Sequence, residues 1–549
     1  MNISKNKIFT LIYLIVSAMI VIALFAKCPY GFPSDEALYL LVPYRFIHGD
    51  IPILHEWHPT QICYIWIHPL VDAYLYIKGN TEGIFLVFRY IYTIVWSLFS
   101  FFIYYRLRVI SNIGAATVSV MLLIYAPYGS MSLYYNTIGI MTLLSCFVIL
   151  ATAKTHTTIQ HIVAGFLFAM AVTCCPYLLI LFFLMVVNYA VLRAKGQKEA
   201  ILHLVHLTLG SIIAFIVFCF YYFRNSSLSM IIGSIHYLLE DREHQYVFGD
   251  KLITYLVSLF SPTVLYFLCV VSFVICCIVV SFKKSSTAKK TGFIITVVLI
   301  LIMQIDLIAE INYINSYMIA PSLLGIYSIL FSHKPTIRRI FQFIWIPGLV
   351  YTFCLHMSSN LGFSAVASAA SLMSAASILS AVVFIEDDFT EFKSIIALFG
   401  ILSLFQIGLQ FTYRMNYVYC ESAIKYMTAT SDIGTTKGLR ITEKRLYYYK
   451  YMLNDTLPLR DESIDKVLIL SPESWLYLDV NKNIGSYTCW SPYIDGYTIE
   501  LLDEYYSLYP DMKPSAIYVE SYYNDLVPLL NNRGYTGSET PLGGYILYK

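Results

Sequence analysis

The sequence predicts a polytopic α-helical membrane protein of about thirteen transmembrane helices. It adds interfacial helices in the first external loop and a small C-terminal extracytoplasmic α/β domain. Three observations carry this reading. Of 549 residues, 58% are hydrophobic and 13% charged, roughly half the charge of an average soluble domain. Apolar runs of bilayer-spanning or near-spanning length recur through residues 1–411. Residues 412–549 are a different material, rich in charge, Asn, Gly and Pro, and fit a separate soluble domain.

Lys5 and Lys7 precede an apolar run from Ile8 to Ala26 that is long enough to span, with no small-x-small cleavage pattern before Lys27. That pattern predicts an uncleaved anchor with a cytoplasmic N-terminus. The first external loop, 27–83, opens with a stretch too charged to span (27–60). Residues 61–78 follow, aromatic and amphipathic with His68, Asp72 and Lys78, and predict a helix lying along the membrane surface. Further spans are expected at about 84–105, 112–128, 134–153, 159–173, 175–192, 202–223, 255–281, 292–309, 314–331, 339–356, 362–385 and 394–411. Pro176 divides 159–192 in two. The small residues of Ser364 to Ser380 predict a tight helix interface.

Counting Lys and Arg alone orients the chain. With the N-terminus inside, Arg106 and Arg108, Arg193 to Lys198, Lys283 to Lys290 and Lys334 to Arg339 all fall in cytoplasmic loops. The loops near 130, 174, 312 and 359 carry no Lys or Arg. Residues 35–36 and everything after 412 are then extracytoplasmic. In the tail, Lys466 to Leu470, Ala516 to Val519 and Gly544 to Tyr548 predict strands, alternating with helices near 498–508 and 524–532. No GxGxxG or P-loop pattern follows a strand, so no nucleotide is expected. A net charge of +2 without a long basic tract points to no nucleic acid. Most of the 12 cysteines lie in apolar runs and none in metal-ligand spacing. The 48 Tyr and 35 Phe suit interfacial belts.

Charge is concentrated in one place. Pro33-Ser34-Asp35-Glu36 reads as a helix start, with Ser34 as cap and two acids in the first turn before Ala37 to Ile47. After a Gly49-Asp50 turn comes Glu56-Trp57-His58-Pro59. Carboxylates at a membrane boundary are costly unless they do chemistry or bind a cation. Capping alone would explain Asp35 and Glu36; it would not explain Glu56 returning to the same face. Paired acids in a desolvated cleft suit a general base, or a divalent cation that neutralises a phosphate leaving group.

The order of these parts resembles the GT-C superfamily of polyprenyl-phosphate-sugar-dependent glycosyltransferases. It looks most like the protein O-mannosyltransferases and the lipid A aminoarabinose transferases. Their second element reads Asp-x-His-Pro-Pro or Glu-Lys-Pro; here it is Glu56-Trp57-His58-Pro59-Thr60, so the second proline is missing and protein mannosylation is not implied. The resemblance covers the membrane region in layout and residues 33–60 in motif. It implies inverting transfer of a hexosyl or pentosyl unit from a polyprenyl-phosphate donor to an envelope glycan, lipid or protein on the outer face. By that resemblance Asp35 matches the catalytic base, Glu36 supports it, Glu56 matches the metal or donor contact, and His58 matches the mannosyltransferase histidine.

Weaker candidates complete the set. Arg242 and His244, in the long 224–254 loop, would contact donor phosphate or a divalent metal, unless the loop is merely a solvated helix. Arg45 and Arg89 would reach the phosphate or snorkel to lipid headgroups. Asn136, at a helix start on the active face, would contact a sugar or cap the helix. Two rival functions remain. A transporter or flippase of lipid-linked saccharides would carry midplane charges, for which Asp306 is the one acid deep in a run. A polymerase of such saccharides would be expected to have a large central external loop.

Overall fold

The computed structural model describes residues 5–153, 158–240, 247–311, 315, 318–388, 393–490 and 499–549. Among them, nine helices are long and apolar enough to cross a membrane, from Lys7–Lys27 through Ile84–Leu107 to Ile396–Asn416. The pair Phe363–Ala369 and Ser371–Glu386, bent by 45°, makes a tenth if it acts as one span. All thirteen expected segments contain helix, but three of the helices are shorter than a span: Asn112–Ile124, Thr158–Cys174 and Ser322–Phe331.

Local chemistry explains the shortening. Ser111 caps the first of these at its start, accepting from the Gly114 N–H at 3.0 Å, and Pro127 lies just past its end. Pro321 sits at the N-cap of Ser322–Phe331. The run 255–281 breaks at Ser261-Pro262, after which Thr263 caps the spanning helix Val264–Lys283. The small-residue segment is buried from Ala365 to Ser380, and Ser377 Oγ donates to the Ser322 carbonyl at 3.2 Å.

In the first loop, one helix is covered by the rest of the protein. That helix, Glu36–Ile47, is buried on every side from Glu36 to Phe46. The N-cap is Asp35 rather than Ser34, and no side chain caps it. The single helix expected over 61–78 is two pieces, a 3₁₀ turn Pro59–Trp66 and a helix His68–Lys78, because Pro69 disfavours helical backbone just before it. Tyr76 and Ile77 on the second piece are strongly exposed, as a membrane-facing surface requires.

The tail carries seven short strands. Ala429–Thr430 (β1) pairs antiparallel with Arg440–Ile441 (β2). The other five are Lys466–Leu470 (β3), Asn483–Ile484 (β4), Ala516–Val519 (β5), Thr536–Glu539 (β6) and Tyr545–Tyr548 (β7). They form one sheet in the order β4-β3-β5-β7-β6. The three apolar runs of the sequence are its centre: β3 and β5 are parallel, and β7 is antiparallel to β5. Strands buried on both faces read as continuous hydrophobic runs, and this sheet has apolar cores on both sides.

The first loop wedges into those cores. Trp57 belongs to the cluster of Leu470, Tyr505 and Val519, and stacks on Tyr237 at 3.8 Å. On the other side Phe32 meets Tyr449 and Trp475 edge-on at 5.7 and 5.4 Å. Backbone bonds complete the dock: Gly31 N–H to the Arg440 carbonyl at 2.9 Å, and Trp57 N–H to the Tyr487 carbonyl at 2.7 Å.

Candidate active site

Asp35 and Glu36 stand where the first loop turns into its buried helix, and their surroundings separate them. Glu36 is 8% exposed and forms an ion pair with Arg89, Nη2 to Oε2 at 2.8 Å and Nε to Oε2 at 2.9 Å. The rest of that guanidinium donates to the Tyr30 and Gly31 carbonyls at 3.0 and 2.9 Å. Arg89 thus ties the second spanning helix to the turn that presents the acids. Asp35 is only half-buried. Burial, reinforced by the Asp35 charge, keeps the Tyr39 hydroxyl pKa well above its usual range. The same two causes raise Tyr419, and burial with Asp35 raises the Cys420 thiol. Tyr39 also stacks on Tyr134 at 4.7 Å, so the carboxylate sits beside an aromatic wall.

The wall includes residues the sequence reading passed over. Tyr419 and Cys420 follow the last spanning helix, where composition marks only the beginning of the tail. Gly31 places them, at φ +97°, since a Cβ there would stand 2.4 Å from Val418 Cγ1. Next along, Glu421 and Glu473 have pKa values raised by burial, and Arg445 lies between them, 3.1 Å from Glu473. No spacing in the sequence links residues 35, 421 and 473; only the docking of the tail does.

Glu56 is in a different environment. It is fully buried, with Oε2 accepting from Arg45 Nη1 at 3.0 Å and from the Cys489 N–H at 2.9 Å. Its Oε1 accepts from the His58 N–H at 3.1 Å. Arg45, also buried, donates further to Asp50, to the Ser486 carbonyl and to the Tyr505 hydroxyl. Burial pushes the Asp50 carboxyl up, but Arg45 and His55 outweigh it and hold its pKa below the ordinary value. His58 caps the 3₁₀ turn, its Nδ1 within 2.6 Å of Thr60 Oγ1. The knot therefore joins the first loop to tail residues 486, 489 and 505.

Asn136 lies one position inside the helix Tyr135–Thr152, 2% exposed. The capping that its position suggested is done by Thr137, whose Oγ1 accepts from the Tyr134 N–H at 2.8 Å, and Asn136 Oδ1 has no hydrogen-bond partner. It follows directly on Tyr134 and Tyr135, both packed around Tyr39. Asp306 accepts a hydrogen bond from Thr263. Arg242 and His244 lie outside the described residues.

A divalent cation does not fit the donors described. The Glu36 and Glu56 oxygens are committed to arginines and N–H groups, and the groups beside Asp35 are protonated phenols and a thiol. Hard cations need several anionic or carbonyl oxygens converging on one point. Among the described residues no three His, Cys, Asp or Glu side chains cluster in that way.

Neither a protein-family model nor a curated protein matches the sequence. Among the solved structures that match, one is similar over 97% of this chain and 74% of its own, at 11% identity and a TM-score of 0.46. It is an archaeal oligosaccharyltransferase, AglB from Archaeoglobus fulgidus, in complex with an inhibitory peptide and a dolichol-phosphate.

Proposed function

We propose that this chain is an integral membrane glycosyltransferase of the GT-C type, moving a sugar from a polyprenyl-phosphate donor to an extracytoplasmic acceptor with inversion. Asp35 is the general base. The observation that carries this reading is the contrast within one dipeptide: a half-buried Asp35 beside a Glu36 already neutralised by Arg89. In the reaction, Asp35 accepts the proton of an acceptor hydroxyl or amine. The freed lone pair bonds to the anomeric carbon from the face opposite the phosphate, whose C–O bond breaks to release the polyprenyl phosphate. A positioned carboxylate base contributes roughly 10²- to 10⁴-fold to such a step.

The remaining roles follow from placement. Glu36 and Arg89 hold the base in its turn. Arg45, Glu56 and His58 hold the loop to the tail. Asn136, with an unanswered amide oxygen beside the tyrosine wall, contacts the sugar. The tail, from residue 412, lies over the site through Phe32 and Trp57 and docks the acceptor. With the N-terminus cytoplasmic, both tail and Asp35 face outward.

The test is transfer of a labelled sugar from polyprenyl phosphate to an envelope extract by purified protein, wild type against Asp35→Asn. Loss of transfer with normal membrane insertion is expected, and transfer at the wild-type rate would sink the assignment. In sealed liposomes, movement of the lipid-linked sugar across the bilayer without a change in its covalent attachment would indicate a transporter instead.

A further inference from the structure

Three buried cations meet at the end of the helix bundle that carries Asp35. Lys27 is the last residue of the first span, Arg89 is in the second turn of the span Ile84–Leu107, and Arg414 is two residues from the end of Ile396–Asn416. They are 1%, 1% and 3% exposed. Lys27 is within electrostatic reach of both arginines. Among the ion pairs of the described residues, Glu36 is the carboxylate on Arg89. Glu421 also reaches Arg89 electrostatically, but its ion pair is with Arg445, 3.7 Å away.

Within the protein, Lys27 and Arg414 donate to carbonyls. Lys27 donates to the Arg414 and Tyr417 carbonyls, which suits a lysine at the end of a helix. Arg414 Nη1 donates to the Gly129 carbonyl at 3.2 Å, and its guanidinium lies over the Tyr92 ring at 5.7 Å. Arg414 Nε, buried, has no acceptor among the described residues. Carbonyls satisfy N–H groups but cancel little net charge, and an uncompensated buried ion is costly. A helix-capping role accounts for Lys27 alone; it explains neither the open Nε nor the gathering of three cations.

We propose that Lys27, Arg89 and Arg414 form a phosphate-binding site. Its ligand is a phosphate monoester or diester whose oxygens take the open Arg414 Nε and the Lys27 ammonium. A guanidinium fork matches phosphate geometry, and a phosphate oxygen would answer the open Arg414 Nε. This deepens the function proposed above, since a lipid phosphate is that reaction's leaving group. It also supplies counter-charge where the described donors do not fit a metal.

The test measures binding without turnover. Full-length protein in phosphatidylcholine nanodiscs is titrated with polyprenyl monophosphate and with the matching polyprenol, reading affinity and ligand-induced shift in Tm. The phosphate lipid is expected to raise Tm and the polyprenol to leave it unchanged. Arg414→Gln is expected to weaken phosphate-lipid binding roughly 10- to 100-fold, the worth of a charge-assisted hydrogen bond. Arg414→Lys, which keeps the charge and a folded site, should fall between. Asp35→Asn should bind as wild type does, so failure of the base and failure of this site are told apart. Orthophosphate competing with the lipid assigns the site to phosphate in either form, whereas no competition assigns it to a lipid headgroup; both uphold it. Equal binding of polyprenol, or wild-type affinity in both Arg414 variants, overturns it.

Discussion

Glu36 and Glu56 each meet an arginine, Arg89 at 2.8 Å and Arg45 at 3.0 Å, and the two pairs lie in the same loop. Their surroundings differ. Around Glu56 both oxygens are matched by donors, Arg45 is shared with Asp50 and Tyr505, and the partners come from the tail. Around Glu36 the arginine comes from the second span, and the adjoining acid, Asp35, is left half-buried against tyrosines. One region spends its charges on holding two parts of the chain together. The other neutralises one carboxylate and presents its neighbour. Similar acids in one loop thus tie it to different parts of the chain, Glu56 to the tail and Glu36 to the second span.

That comparison can be broken in several places. The largest effect is expected from Glu56→Ala, which leaves Arg45 with one carboxylate fewer at full burial. Removing one partner of a buried pair costs about 3–5 kcal/mol. The loss should register as a lower Tm and as earlier proteolytic release of the tail; an unchanged Tm would mean the knot is not structural.

Asp479 sharpens the contrast, being a buried carboxylate bonded to Thr435 and Tyr449 rather than to an arginine. Burial raises its pKa from 3.8 to about 6, although those hydrogen bonds oppose the rise. The folded state therefore holds a proton that the unfolded chain releases. Stability should be full below about pH 4 and fall as pH rises through 6, by up to ~3 kcal/mol from the size of the shift. Thermal melts across that range, flattened in Asp479→Asn, check it; a rise in stability over the window would contradict it.

A smaller effect is expected from Gly31→Ala. The added Cβ meets Val418, and alanine is strained at φ +97°, together about 1–3 kcal/mol. Because Gly31 seats the 417–421 segment beside Asp35, transfer should fall as well as Tm. Val418→Ala added to it should recover the steric part and leave the backbone part.

Much of the fold was legible in the sequence, because hydropathy and strand patterning are local. The spans, the three central strands and the break at Pro176 all come from runs of neighbouring residues. Helix lengths were less legible: Pro127, Pro262 and Pro321 cut apolar runs that hydropathy alone joins. The burial of the first loop was not legible, for a tertiary reason. An apolar helix with charged ends suits a membrane surface equally well, and nothing local to Glu36–Ile47 shows that the tail covers it. Asp35, Glu36 and Glu56 stood out as charge in an apolar region, but their division of labour depends on Arg89, Arg45 and Cys489, up to 433 residues away. Tyr419, Cys420, Lys27 and Arg414 carried no motif at all. They gather only because the ends of the first and last spans meet.

The most direct test sets Asp35→Asn beside Glu56→Gln, measuring sugar transfer and Tm on the same preparations. Asp35→Asn should lose transfer by roughly 10²-fold or more while melting as wild type does. Glu56→Gln should melt lower, and its loss of transfer should follow the fraction unfolded. An Asp35→Asn protein that transfers at the wild-type rate, or one that loses transfer only in step with its stability, would contradict the assignment of Asp35 as the base.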